Sequence, residues 1–90
     1  MAEFSVLLSA KEGQTEALAN VLQPLVEASQ REEGAVMYDL HASGEGLFVI
    51  TEKWQNQKLL DAHEATPHFT SFQRASEGLI DSVVRLPKTA

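Results

Sequence analysis

Ninety residues, 43% hydrophobic and 22% charged, make a chain long enough to bury a small core and too apolar to stay disordered. A formal charge of -6, with only seven scattered Lys and Arg, argues against a nucleic-acid partner, and the absence of cysteine excludes disulfides, thiolate metal sites and thiol nucleophiles. The N-terminal MAEFSVLL has no basic leader and no long apolar run, so the reading is one cytoplasmic domain over 1–90 that handles a small molecule and has no membrane partner.

Residues 3–9, EFSVLLS, alternate Phe4, Val6 and Leu8 with Ser5, Leu7 and Ser9, the period-two pattern of a strand. After the turn AKEGQ, Leu18, Val21, Leu22, Leu25 and Val26 fall at the spacing of an amphipathic helix. That helix is predicted from about 14 to 33, kinked at Pro24 and stopped by Gly34. AVMYDLH (35–41) and LFVITEKW (47–54) are strands joined by the glycine-bearing ASGEG. In the second, Phe48, Ile50, Glu52 and Trp54 share one face, and Leu47, Val49, Thr51 and Lys53 the other. NQKLLDAHEA (56–65) reads as a helix capped by Asn56, with Leu59, Leu60 and His63 on one side. Pro67 either ends it or starts another carrying Phe69 and Phe72, and LIDSVVRLP (79–87) is the last strand.

The order strand, helix, strand, strand, helix, strand is that of an α+β, ferredoxin-like βαββαβ fold, a four-stranded antiparallel sheet with helices on one face. Leu7, Val49 and Val83 are then expected on the other face. An apolar patch of that size is costly to leave wet, which predicts a homodimer through the sheet.

The stretch LLDAHEATPHF begins like a zinc-protease helix, yet Pro67 stands where the second histidine would be. His63 and His68, five positions apart, point to different sides of a continuous helix, so no metal site is expected. His63 should face the sheet, where Glu52 and Trp54 point up from their strand. A histidine facing a glutamate in an apolar cleft is a candidate proton-transfer pair. The bland alternative is a His63 that only satisfies a core hydrogen bond. Tyr38 and His41 lie on opposite faces of their strand, so at most one enters a given cleft. His68 is expected at a rim or cap, Glu32 and Glu33 on a solvated surface, and Phe48, Phe69 and Phe72 in the core and pocket wall.

The segment EEGAVMYDLHASGEGLFVITEKWQNQKLLDAHEATPHF resembles the antibiotic-biosynthesis-monooxygenase family of small dimeric α+β-barrel proteins. Gly34, Tyr38, Leu40, His41, Phe48, Glu52, Trp54, Leu60, His63, Pro67, His68 and Phe69 carry the resemblance. It implies the fold and a homodimer, with Trp54 at the pocket. It also implies one of several reactions known in the family: cofactor-free oxidation of quinols or anthrones, isomerisation of a phosphorylated sugar, or heme degradation. For the first, the expected catalytic residues are His63, Glu52 and Trp54, with Tyr38, His41, Phe48, His68, Phe69 and Phe72 around a small aromatic substrate. Heme-degrading relatives carry an asparagine on the first strand, where this chain has Phe4, Val6 and Leu8. The sparse basic residues weaken a phosphorylated substrate. A non-catalytic dimeric binding or stress protein is the third reading.

Overall fold

The computed structural model describes residues 1–89. Seven elements follow in order: β1 (Ala2–Ala10), α1 (Thr15–Gln30), β2 (Ala35–Ala42), β3 (Leu47–Trp54), α2 (Gln57–His63), α3 (Pro67–Ala75) and β4 (Ile80–Pro87). The strands pair antiparallel in the order β2-β3-β1-β4, the ferredoxin-like arrangement expected. The second helical region is two helices. Proline fits a first helical position, where its missing N–H costs nothing, and Pro67 opens α3 there. Asn56 caps α2 by accepting from the Leu59 backbone N–H at 2.9 Å, and Thr66 accepts the Phe69 N–H at the start of α3.

Helix α1 runs through Pro24 and ends at Gln30, three residues short of the predicted end. Its last carbonyls close on tighter bonds, Arg31 N–H to Ala28 and Glu32 N–H to Ser29, and the chain turns at once toward β2. Gly34 belongs to that turn rather than to the helix end. Its φ of 85° is left-handed, and an added Cβ would meet the Leu59 side chain, with Leu59 Cβ 2.9 Å away.

The core lies between the helices and one sheet face. Leu18 and Leu22 of α1 are fully buried against Phe4, Leu8, Phe48 and Ile50 of the central strands. Removing such a leucine from water contributes about 1.5–3 kcal/mol. The alternation read for β3 holds at every position: Phe48, Ile50, Glu52 and Trp54 are buried and their neighbours are not.

On the opposite face the expectation holds for Leu7 and Val49 and fails for Val83. Directly paired residues share a face, and Leu7 pairs with Val84 while Leu8 pairs with Val83. Val83 therefore sits on the helix side, and Val84 (47% exposed) and Leu86 (49%) take the uncovered face with Met37 (43%). A register shift at Ser9/Ala10 sets this parity, and a one-residue slip exchanges the two faces of a strand.

Candidate functional site

Between the sheet and α1, α2 and α3 lies a cavity of about 350 Å³. Val6, Leu8, Leu25, Phe69, Phe72 and Val83 form much of its apolar wall. Tyr38, Glu52, His63, Glu64 and Arg85 supply polar groups. Alternation along β3 puts Glu52 on this face, and register puts Tyr38 directly beside it.

Glu52 is 6% exposed, and the Trp54 indole N–H donates to its Oε1 at 2.9 Å. Its other oxygen has no hydrogen-bond partner among the described residues. Burial pushes the carboxyl up from 4.5 to about 7, against the Trp54 hydrogen bond and the nearby Arg85 guanidinium, which both favour the charged form. Tyr38 is raised well above the usual phenol range, first by burial and then by the Glu52 charge, so it stays neutral and keeps its hydroxyl proton.

His63 and Glu52, the candidate proton-transfer pair, both line the cavity and take different hydrogen-bond partners. His63 is 1% exposed, and its Nδ1 lies 2.5 Å from Glu32 Oε2. The same oxygen lies 2.8 Å from His68 Nε2. The Nε2 of His63 is buried with no hydrogen-bond partner among the described residues, within a cage of rings: Trp54 at 4.6 Å between centroids, Phe69 at 5.1 Å and Tyr38 at 5.3 Å.

Two expectations are corrected here. Glu32 is not a solvated surface carboxylate, because the turn after α1 folds it inward and its side chain is 14% exposed. His63 and His68 do not diverge. Their helices are separate, and Thr66 binds the turn between them by donating its hydroxyl to the His63 carbonyl at 2.7 Å. That turn brings the second imidazole back to within 6.1 Å of the first, centroid to centroid. The cap of α3 is Thr66 rather than His68.

Of the expected pocket residues, Tyr38, Phe69 and Phe72 line the cavity. His41 does not: it is exposed, and its pairing with Val49 sets it on the uncovered face. Phe48 is core, 3% exposed and paired across the sheet with Leu8, and is not part of the wall. Trp54 is fully buried behind the wall and reaches the cavity through the carboxylate it holds. His68 lies beside a separate surface groove with Pro24 and Ser71.

Arg85 and Glu64 were not anticipated. The Arg85 guanidinium lies 4.0 Å over the Phe4 ring and donates to Glu64 Oε2 at 2.9 Å, linking β4 to the end of α2. Both are half-exposed, so the bridge itself adds little stability. Its relevance is position, a cation on the wall that holds Glu52. The sequence signal was the i, i+2 relation of Val83 and Arg85, readable only once the β4 register is known.

A ferredoxin-like sheet thus carries a ring-lined cavity under its helices, with a buried carboxyl on the cavity wall. The chain belongs to the antibiotic biosynthesis monooxygenase family, whose model matches residues 1–75. It is similar to YcnE of Bacillus subtilis, 29% identical over 91 residues that span 99% of this chain and 96% of YcnE. The crystal structure of PA3566 from Pseudomonas aeruginosa superposes with a TM-score of 0.85 at 32% identity, covering 100% of this chain and 97% of that one. A crystal structure of an antibiotic biosynthesis monooxygenase superposes with a TM-score of 0.90 at 25% identity, covering 100% and 98%. Membership brings the class, a family of monooxygenase-like proteins, and leaves the substrate to be argued from the site.

Proposed function

We propose that the protein is a cofactor-independent monooxygenase that oxidises a small electron-rich aromatic, a quinol or anthrone, with dioxygen. The observation that carries this reading is Glu52, a carboxyl poised at about 7 with one oxygen held by Trp54, on the wall of an apolar cavity of about 350 Å³. A base near the working pH is most effective in both directions of proton transfer.

For an anthrone, Glu52 takes a proton from the ring CH₂ and the resulting anion passes one electron to dioxygen. The radical pair joins as a peroxide on that carbon, and Glu52 returns the proton to its outer oxygen. Loss of the remaining C–H and cleavage of the O–O bond then leave a carbonyl and water. The four electrons lost by carbon match the four gained by O₂, and Glu52 ends as it began. Tyr38, kept as a neutral phenol, is a donor for the developing oxyanion. His63 packs on the Trp54 ring and holds the indole that positions the carboxylate.

Oxygen uptake with a panel of quinols and anthrones tests this. The expected result is one O₂ consumed per anthrone converted, by protein stripped of metal with a chelator. No uptake across the panel would sink the reading. One observation favours a second reading: Arg85 gives the cavity wall a cation that an anionic substrate would need. Proton exchange next to a carbonyl without oxygen use would identify an isomerase. Binding without any turnover would leave a ligand-binding protein.

The reading includes a homodimer through the sheet. Met37, Val84 and Leu86 leave apolar surface on the uncovered face beside Leu7 and Val49, the kind of patch a second copy covers. Light scattering at micromolar concentration is expected to give twice the 9.9 kDa chain mass, and Val84→Asp to give a monomer. A wild-type monomer would remove the dimer from the proposal. None of the helices among the described residues is long and apolar enough to cross a membrane.

A further inference from the structure

Glu32, His63 and His68 come from three segments, the turn after α1, the end of α2 and the start of α3. Their donor atoms (Glu32 Oε2, His63 Nδ1, His68 Nε2) all lie within 4.8 Å of one another. We propose that this trio is a binding site for a divalent first-row transition ion of the zinc class.

Two imidazoles and one carboxylate form a borderline donor set. It suits Zn²⁺, Co²⁺, Ni²⁺ or Cu²⁺ and is a poor match for Mg²⁺ or Ca²⁺, which prefer all-oxygen shells. Three protein ligands leave a fourth tetrahedral position for water. The same atoms are already turned toward one point, since a single carboxylate oxygen meets both imidazole nitrogens.

Tetrahedral ligands about 2.0–2.1 Å from zinc stand roughly 3.3 Å apart. The present N···O separations of 2.5 and 2.8 Å must therefore open by about 0.8 and 0.5 Å. The groups that have to move are the ones with room. His68 is 26% exposed and Glu32 14%, whereas His63 is locked at 1% among the aromatic rings. A rigid buried ligand and two adjustable outer ones also give the ion a route from solvent. The ion would tie the turn after α1 to both short helices, so binding is linked to stability. The site shares His63 with the oxygenase reading, but there Glu52 takes the proton, and zinc binding is read out apart from turnover.

Isothermal titration of the chelator-stripped protein with Zn²⁺ alone tests the proposal, with thermal unfolding followed alongside. One Zn²⁺ per chain should bind saturably in the micromolar range and raise Tm. His68→Ala, at a partly exposed position, should weaken binding at least tenfold and abolish the rise in Tm. Glu32→Gln should do the same, and His41→Ala, at the exposed third histidine, should change neither. Circular dichroism spectra matching the wild type exclude misfolding as the cause. Absence of saturable binding to the wild-type protein would overturn the proposal. Equal affinity in His68→Ala would overturn it too, because the zinc would then sit elsewhere.

Discussion

Replacing Glu52 with glutamine is expected to lower kcat for quinol or anthrone oxidation by about 10²–10⁴-fold while making the folded protein more stable at pH 8. Both effects have one origin. The folded state holds the Glu52 proton up to about pH 7, whereas the ordinary value for a free carboxyl is 4.5. A raised carboxyl means that folding favours the protonated form. Its penalty is absent below about pH 4.5, grows as pH rises toward 7, and is complete above 7. The shift corresponds to about 3 kcal/mol of stability given up by the wild type at alkaline pH. Glutamine has the same shape, never ionises, and keeps an oxygen that can accept the Trp54 N–H. Urea denaturation at pH 4 and pH 8 should therefore find the variant close to wild type at the lower pH and more stable at the higher. The wild-type rate should rise through about pH 7 as the carboxylate forms. An unchanged kcat would remove Glu52 from the mechanism. A stability difference equal at both pH values would mean that the carboxyl is not held protonated by burial. The trade is the familiar one in which a reactive group is kept where the fold does not favour its charge.

What could be read from the sequence was whatever repeats along one element. The alternation of β3 assigns Glu52 and Trp54 to the buried face without reference to any other strand, because successive side chains must point to opposite sides. The α1 stripe and the cap at Asn56 are equally local. The misread positions each depend on a relation between elements. Val83 and Val84 could not be assigned to faces from β4 alone, since both are apolar and the register shift beside β1 decides the parity. The histidines five apart are far from each other on one helix and adjacent on two, and a single hydrogen-bonded turn at Thr66 makes that difference. Glu32 resembles any acidic residue after a helix. Its partners lie 31 and 36 residues further along, and nothing near it in the chain signals them. Tyr38, Phe69, Phe72, Glu52 and His63 were legible in this way, whereas Glu32, Glu64 and Arg85 were not.

Trp54 is where fold and site share one side chain, and two substitutions there should separate the shares. It is the largest fully buried residue, stacked at 4.6 Å on His63 and edge-on to Tyr38 at 6.2 Å. Trp54→Ala would leave a cavity that neighbouring rings cannot fill, at a cost of about 3–5 kcal/mol. Domains of this size have about 5–15 kcal/mol in total, so Tm should fall by well over 10 °C. Trp54→Phe keeps an aromatic ring in the core and removes only the indole and its N–H, so its cost should be smaller, about 1–2 kcal/mol. Its chemical effect points the other way from its modest stability effect. The lost hydrogen bond is one that favours the Glu52 carboxylate, and without it the carboxyl should hold its proton to a still higher pH. The rising limb of the pH–rate profile should then move to higher pH in Trp54→Phe, with the protein still folded. If the limb stays in place while Trp54→Ala unfolds as expected, the indole is a core residue alone and does not tune the carboxyl beside it. A limb that moves with little loss of stability assigns the N–H to the chemistry and the ring to the fold.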